Sequence, residues 1–120
     1  MANVLIVDDE AHNRLLIATV LSSVGHVVLE AATATEALSL TQANELDLII
    51  VDLSLPDMSG TQLIQALRAE TDSRSAVLLY SASDLSPAME DFMASMNIKG
   101  AIPKPSEPEA ILRLVSAALT

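Results

Sequence analysis

Val4-Leu5-Ile6-Val7-Asp8-Asp9 is a run of four aliphatic residues that leads directly into two carboxylates. A run this short and this apolar is typical of a β-strand that is covered on both faces. Apolar runs also precede Asp52, Ser81 and Lys104. Because the carboxyl ends of parallel strands meet at one edge of a sheet, these polar side chains are expected to converge there. That edge is where open α/β sheets bind their ligands.

Strand candidates and helix candidates alternate along the whole chain. The strands are expected at residues 3–7, 27–31, 47–52, 76–81 and 99–102. This alternation predicts an α/β fold with a five-stranded parallel sheet, doubly wound so that helices cover both of its faces. The length of 120 residues suits one domain with its own core, and residues 1–120 are interpreted as one domain.

The helix boundaries are indicated by capping residues. Gly25 is expected to end the first helix, because glycine readily takes the left-handed conformation that follows many helices. Ser86 followed by Pro87 predicts the start of a later helix. Capping pairs with a hydroxyl residue three positions before Glu or Gln are Thr33 with Glu36, Ser59 with Gln62 and Ser106 with Glu109.

The composition excludes several classes of protein. With 16 acidic and 6 basic residues and a net charge of −10, the chain lacks the clustered cations that nucleic-acid binding requires. It has no cysteine, so neither a disulfide nor a thiolate metal site is possible, which fits a reducing compartment. No apolar run approaches the roughly 18 residues that span a bilayer, and the N-terminus does not resemble a signal peptide. We therefore expect a cytoplasmic protein without membrane or direct nucleic-acid contacts.

Three carboxylates at one sheet edge repel one another unless a cation or a proton offsets them. Two unit charges ~4 Å apart repel by about 4 kcal/mol at an effective dielectric constant of about 20. Carboxylate oxygens suit Mg²⁺, so Asp8, Asp9 and Asp52 are interpreted as its ligands. Acids that merely cap the next helix would explain Asp9 alone about as well, but not the whole set.

Lys104, one of two lysines, lies between two prolines, which suits an ammonium held in a fixed place better than an ordinary surface lysine.

At these positions the chain resembles the receiver domains of response regulators, the phospho-acceptors of two-component signalling. Residues 4–10 are similar to the first strand and acidic pair of that family. Residues 52–60 resemble its phospho-acceptor strand and the following loop, including Pro56 and Gly60. Ser81-Ala82 and Lys104-Pro105 match its hydroxyl position and its Lys-Pro pair. All four motifs occur in order, and the resemblance covers essentially the whole chain.

The resemblance implies a phosphoryl-transfer role for Asp52. It would take a phosphoryl group from a phosphohistidine of a sensor histidine kinase or of a histidine phosphotransfer protein. Asp9 and Asp52 would bind Mg²⁺ directly, Asp8 would help through water, and the main-chain carbonyl of Ser54 would complete the protein ligands. The chain would catalyse only its own phosphorylation and dephosphorylation and would not be an enzyme in the usual sense.

The resemblance also implies how the phosphoryl group is held. Lys104 would pair with one phosphate oxygen, and the Ser81 hydroxyl would donate a hydrogen bond to another. A cis bond between Lys104 and Pro105 is expected, against a base rate of about 5% for bonds before proline. Ser54 and Ser83 are expected to tune the access of water to the phosphate. The output partner is not specified by the sequence, and either a monomer or a phosphorylation-dependent dimer is expected.

One position departs from the family pattern. Receivers often carry an aromatic residue three positions before the lysine, and this chain has Ala101 there. We therefore expect switching to use the loop at residues 81–87 and the helix after it. The first helix is where this family often meets its kinase or phosphotransfer partner. Helical spacing favours a core face over an adaptable docking surface for Met89, Phe92, Met93 and Met96.

Three other classes of protein fit the sequence less well than the receiver does. A pseudo-receiver, a binding module that is not phosphorylated, usually lacks one of the acids or the lysine, and this chain has them all. A Mg²⁺-dependent phosphatase commonly needs a second acid where this chain has Ser54. A flavodoxin-like flavin carrier would need aromatic residues, which make up only 2% of the chain. The receiver is the main interpretation and the pseudo-receiver its alternative.

Overall fold

A computed structural model describes residues 1–70, 75–82 and 85–120. The described residues form the strands β1 (Asn3–Val7), β2 (Val27–Ala31), β3 (Leu48–Asp52), β4 (Ala76–Ser81) and β5 (Gly100–Pro103). The helices between and after them are α1 (Ala11–Ser22), α2 (Ala34–Ala43), α3 (Gly60–Glu70), α4 (Pro87–Ser95) and α5 (Pro108–Ala118). The predicted α/β fold is confirmed, and each strand boundary lies within one residue of its prediction.

The strands form one parallel sheet in the order β2-β1-β3-β4-β5. In this sheet Val7 pairs with Val51, and Asp52 pairs with Tyr80. The carboxyl ends of β1, β3 and β4 therefore lie side by side. The direction of winding reverses between β1 and β3, which is the switch point where sheets of this kind bind ligands.

The buried residues of the described segments pack in two clusters, one on each face of the sheet. Helices α1 and α5 cover one face, and α2 and α3 cover the other. Leu48 and Ile50 of β3 belong to the first cluster, Ile49 and Val51 belong to the second, and all four are fully buried. Burial of one such side chain contributes about 1.5–3 kcal/mol. Packing on both faces thus fixes β3, and Asp52 at its end has a rigid support.

The predicted caps of α2 and α3 are confirmed. The Thr33 hydroxyl accepts a hydrogen bond from the main-chain nitrogen of Glu36 at 3.1 Å. Ser59 and Gln62 form a reciprocal capping box, in which each side chain accepts from the main-chain nitrogen of the other, at 3.2 and 3.0 Å. Gly25 follows α1 with a φ of +94°, a conformation that glycine adopts without strain.

The prediction that Ser106 caps the last helix is wrong. Glu107 is the N-cap of α5, which begins at Pro108. Proline suits the first helical position, because the N–H that it lacks would have no partner within the helix. The Ser106 hydroxyl instead donates to the main-chain carbonyl of Pro103, the last residue of β5.

The predicted core face of α4 is confirmed, although its side chains stay partly exposed. Met89, Phe92, Met93 and Met96 all pack against the cluster beneath α2 and α3, and each stays half-buried. Arg68 of α3 holds the end of this helix, since its Nε donates to the Met96 carbonyl at 3.2 Å. A docking role for the exposed parts of these side chains stays a prediction. Within the described ranges, every helix is too short or too polar to pass through a bilayer.

Candidate functional site

Three carboxylates come together at the carboxyl edge of the sheet. Asp52 is the last residue of β3, and Asp8 and Asp9 follow the neighbouring strand β1. One carboxylate oxygen of each residue lies within 4.8 Å of the corresponding atoms of the other two. Asp8 is fully buried, Asp52 is 7% exposed, and Asp9 is exposed. The structure therefore brings together the three acids that the sequence placed at this edge.

Lys104 reaches into this acidic cluster from the end of β5. Its Nζ lies 2.9 Å from Oδ2 of Asp8 and 3.2 Å from Oδ2 of Asp52. Its main-chain nitrogen donates to the carbonyl of Ser81 at 2.9 Å, so the ends of β4 and β5 are joined next to the site. The bond between Lys104 and Pro105 is cis, as predicted.

Burial and neighbouring charges set the protonation of the cluster. The pKa of Asp52 is raised, chiefly because burial disfavours its charge, and the charge of Asp8 adds to this effect. The Ser54 N–H and Lys104 act in the opposite direction. Burial alone would lower the pKa of Lys104, but its hydrogen bond with Asp8 and the charge of Asp52 outweigh burial and raise it. Lys104 thus keeps its positive charge at neutral pH, whereas the charge of Asp52 is disfavoured until a metal cation offsets it.

Main-chain hydrogen bonds orient the two buried carboxylates. The N–H of Glu10 donates to Oδ1 of Asp8 at 2.9 Å, and the N–H of Ser54 donates to Oδ1 of Asp52 at 3.1 Å. In both residues Oδ2 is the atom that faces Lys104. The side chains are therefore held in one rotational position before any ligand arrives.

Two residues that contact the site belong to none of the motifs in the sequence. Arg14 of α1 donates from Nη1 to the main-chain carbonyl of Asp8 at 2.6 Å and pairs through Nε with Glu30 at 3.2 Å. The ring of Tyr80 lies beneath Lys104, with its centroid 4.5 Å from Nζ. Arg14 could have been found from the sequence as a cationic residue one turn into the helix that follows the acidic pair. Tyr80 could have been noticed because it is the single tyrosine of the chain and directly precedes a site residue.

The loop after β3 folds tightly back over Gly60. A Cβ atom at residue 60 would lie 2.5 Å from the carbonyl oxygen of Asp52 and 2.7 Å from Cα of Leu53. Real Cβ atoms do not approach backbone this closely, so the position requires glycine. The Gly60 N–H donates to the Leu53 carbonyl at 3.0 Å. This contact sets the path of the chain that leaves Asp52.

The same loop is fastened to α2 by Asp57. Its carboxylate accepts hydrogen bonds from the main-chain nitrogens of Ala34 and Thr35, at 2.9 and 3.0 Å, and from the Thr35 hydroxyl at 2.8 Å. These bonds lower the pKa of Asp57 to about 2, with the Ala34 N–H as the largest cause. A carboxylate at the start of a helix also interacts favourably with the helix dipole.

Replacing Asp57 with Ala is expected to lower the melting temperature at neutral pH. The folded-state pKa of about 2 lies below the ordinary aspartate value of about 3.9, so the carboxylate stabilises the fold above pH ~3.9. This contribution is lost as the pH falls through 2. Melting curves of wild type and variant should therefore converge on acidification. A Tm difference that stays constant down to pH 2 would show that Asp57 acts without its charge. At pH 7 the Tm of Asp57→Asn should lie between those of wild type and Asp57→Ala.

The donor set of the acidic cluster fits a hard divalent cation. Oxygens that bind one such ion at about 2.0–2.6 Å lie no more than about 5 Å apart. The oxygens of Asp8, Asp9 and Asp52 meet this condition within 4.8 Å. Their negative charges also outnumber the ammonium of Lys104 beside them. The three residues can therefore hold a metal ion.

Comparison with known proteins agrees with this arrangement. Residues 4–116 match the response regulator receiver domain. The chain belongs to this family. Among solved structures, the receiver is similar to the chemotaxis protein CheY4 of Vibrio cholerae, with a TM-score of 0.92, 30% identity and 99% of each chain covered.

Longer proteins also contain segments similar to this receiver. The probable transcriptional regulator ycf27 of Porphyridium aerugineum is 37% identical over 83 residues, which are 69% of the receiver and 34% of that protein. The sensor histidine kinase AruS of Pseudomonas aeruginosa is 30% identical over 112 residues, which are 92% of the receiver and 11% of that protein. The receiver thus spans about a third or less of these relatives.

The remaining predicted positions of the receiver differ in their surroundings. Ser81 ends β4 and is half-buried, and Ser54 is exposed two residues beyond Asp52. Ala101 packs against the cluster beneath α2 and α3. Ser83, predicted to tune water access, lies outside the described residues, as does part of the loop at 81–87 that was expected to switch.

Proposed function

We propose that this receiver accepts a phosphoryl group on Asp52 in a Mg²⁺-dependent reaction. The observation that carries the proposal is the position of the Asp52 carboxylate, which lies beside Asp8, Asp9 and the Lys104 ammonium at the carboxyl edge of the sheet. Two-component signalling is the setting that membership of the receiver family implies. Control of partner binding by the phosphoryl group is part of the proposal.

The reaction is a transfer between two nucleophiles. A carboxylate oxygen of Asp52 forms a bond to phosphorus while the bond between phosphorus and the donor imidazole nitrogen breaks. The electron pair stays with the imidazole, and a proton on its other ring nitrogen lets it leave as a neutral ring. Such transfers depend on position and on charge stabilisation, and the rigid support of β3 beneath Asp52 provides the position.

The residues around Asp52 divide the remaining tasks. Asp9 and Asp52 would bind the ion directly, Asp8 would act through water, and the Ser54 carbonyl would complete the set. Mg²⁺ bound there would offset the negative charge of the transferring oxygens. Lys104 and the Ser81 hydroxyl would each hold one phosphoryl oxygen. The three carboxylates within 4.8 Å of one another support the placing of a metal ion among them.

The donor is proposed to be a phosphohistidine of a sensor histidine kinase or of a histidine phosphotransfer protein. Similarity to the sensor histidine kinase AruS supports a place in such a signalling chain. The proposed location is the cytoplasm, with α1 as the surface that meets the donor. The net charge of −10 argues against direct binding of nucleic acid. The downstream effector is left open, and the receiver would act as a monomer or as a phosphorylation-dependent dimer.

The proposal is tested by incubating the protein with acetyl phosphate, with and without Mg²⁺, and following intact mass. We expect the gain of one phosphoryl group with Mg²⁺ and none when EDTA removes it. Absence of any gain, with Mg²⁺ binding still seen by calorimetry, would favour the pseudo-receiver. A purified phosphohistidine donor would then be the second substrate tested, and failure with both would end the phospho-acceptor proposal.

A further inference from the structure

Tyr80 borders the site beneath Lys104 without belonging to any of its motifs. It pairs with Asp52 of β3 on one side and with Ile102 of β5 on the other. The side chain is 1% exposed and belongs to the cluster beneath α1 and α5. The ammonium of Lys104 lies over its ring, 4.5 Å from the centroid. Tyr80 is thus fixed by the core below and contacts the charged end of Lys104 above.

The Lys104 ammonium is held by two kinds of partner. Oδ2 of Asp8 and Oδ2 of Asp52 accept from it on one side, at 2.9 and 3.2 Å. The ring face of Tyr80 attracts it from another direction, within the distance of about 6 Å at which such attraction is significant. Burial raises the pKa of the Tyr80 phenol, so the ring is uncharged at neutral pH and keeps the face that attracts cations.

These partners respond differently to a metal ion. Asp8 and Asp52 belong to the set of carboxylates that would bind the cation, and their hold on Lys104 would then weaken. The ring of Tyr80 has no oxygen in that set and is locked by packing, so its attraction for the ammonium continues. An unrestrained lysine side chain would otherwise have many rotamers available beside the exposed rim of the site.

We propose that Tyr80 is a positioning residue whose ring holds the Lys104 ammonium beside Asp52 while the carboxylates bind the cation. Lys104 is thereby already in place when the phosphoryl group arrives. This inference rests on the proposed phospho-acceptor function. It assigns the effect to the ring face and not to the hydroxyl, so Tyr80→Phe should preserve it and Tyr80→Leu should remove it.

The first test reads the contact directly by NMR. Protons above an aromatic face resonate upfield, and selective ¹³C labelling of lysine gives signals from only Lys99 and Lys104. We expect the ε-methylene protons of Lys104 to lie upfield of those of Lys99 in wild type and in Tyr80→Phe, with and without saturating Mg²⁺. Tyr80→Leu should lose the upfield shift. A shift that is missing in wild type, or that disappears on adding Mg²⁺, overturns the inference.

The second test measures the rate of phosphorylation at saturating acetyl phosphate and Mg²⁺. We expect Tyr80→Leu to be slower than wild type by about tenfold and Tyr80→Phe to match wild type. Circular dichroism of both variants shows whether they fold. If Tyr80→Leu does not fold, the rate of Tyr80→Phe still tests the inference. Equal rates for folded Tyr80→Leu and wild type overturn the inference, and so does an equal loss in Tyr80→Phe.

The two tests separate this inference from the function on which it rests. A wild type that takes no phosphoryl group, yet keeps the upfield Lys104 signal in Mg²⁺, overturns the proposed function and supports the hold of the ring on the ammonium. A wild type that is phosphorylated but lacks the upfield signal supports the proposed function and overturns the role of Tyr80.

Discussion

Replacing Asp52 with Asn is expected to abolish the Mg²⁺-dependent phosphoryl gain from acetyl phosphate. The amide has no carboxylate oxygen to form the bond to phosphorus, while its shape preserves the packing at the end of β3. Intact mass followed over time in saturating Mg²⁺ measures the effect, which should be complete. Asp8 and Asp9, whose carboxylate oxygens lie within 4.8 Å of that of Asp52, are not expected to replace it as the nucleophile.

The same substitution is expected to stabilise the metal-free protein at neutral pH. Burial, and next the charge of Asp8, raise the pKa of Asp52, so the folded state disfavours the charged carboxylate. A raised folded-state pKa means that wild type is penalised above that pKa and regains stability as the pH falls through it. Asn is neutral at every pH, so the Tm of the variant should exceed that of wild type at pH 7. The difference should close on acidification.

Added Mg²⁺ should reverse this order. A ligand at about 100 times its Kd stabilises the folded state by about 2.7 kcal/mol. Wild type should gain this increment, whereas Asp52→Asn should gain less because it has lost one ligand. Thermal melts with and without Mg²⁺ measure the stabilisation of wild type and that of Asp52→Asn in one experiment.

Asp47→Asn is the matched control for this substitution. Asp47 directly precedes β3, at the opposite end of the strand from Asp52, and its carboxylate accepts from the Asn3 N–H at 2.8 Å. The chemical change is the same, but it is remote from the acidic cluster. This control should be phosphorylated like wild type. If Asp52→Asn still takes up one phosphoryl group at the wild-type rate, the nucleophile is another residue.

The features that could be predicted from the sequence are those that local physics decides. β3 ends at Asp52 as predicted, because the apolar run that packs on both faces of the sheet stops at Val51. The capping box of Ser59 and Gln62 also follows from residues three positions apart. The Ser106 cap failed because two local signals competed there, and Pro108, with its fixed φ and missing N–H, set the start of α5.

The features that could not be predicted depend on which strands become neighbours. Asp57 caps a helix that begins 23 residues before it, which no local pattern indicates. Tyr80 lies under Lys104 only because β4 and β5 pair with Ser81 opposite Pro103. In the sequence Tyr80 stands directly before Ser81 at the end of an apolar run, but nothing there indicates its contact with Lys104. The site edge was predictable from the strand ends, whereas the contacts that orient its side chains required the sheet order.

Replacing Lys104 with Met is expected to slow phosphorylation by about a hundredfold or more, the effect of removing one preorganised donor from a developing negative charge. Met has a similar length and keeps apolar contact with Tyr80, but it cannot donate to a phosphoryl oxygen. The metal-free variant should also be less stable, by up to about 3 kcal/mol, because the buried Asp8 carboxylate loses its ion-pair partner. Intact-mass kinetics and thermal melts measure these two effects.

Mg²⁺ binding should change in the opposite direction from the rate. In the metal-free protein the Lys104 ammonium occupies Oδ2 of both Asp8 and Asp52, so it competes with a cation for the same carboxylates. Its removal should therefore raise Mg²⁺ affinity, measured by calorimetry, while phosphorylation falls. Lys99→Met makes the same change at an exposed position before β5, at the far end of that strand, and should alter neither quantity. A loss of rate that saturating Mg²⁺ fully restores would mean that Lys104 serves only to assemble the metal site, because an ammonium that contacts the phosphoryl group cannot be replaced by more metal.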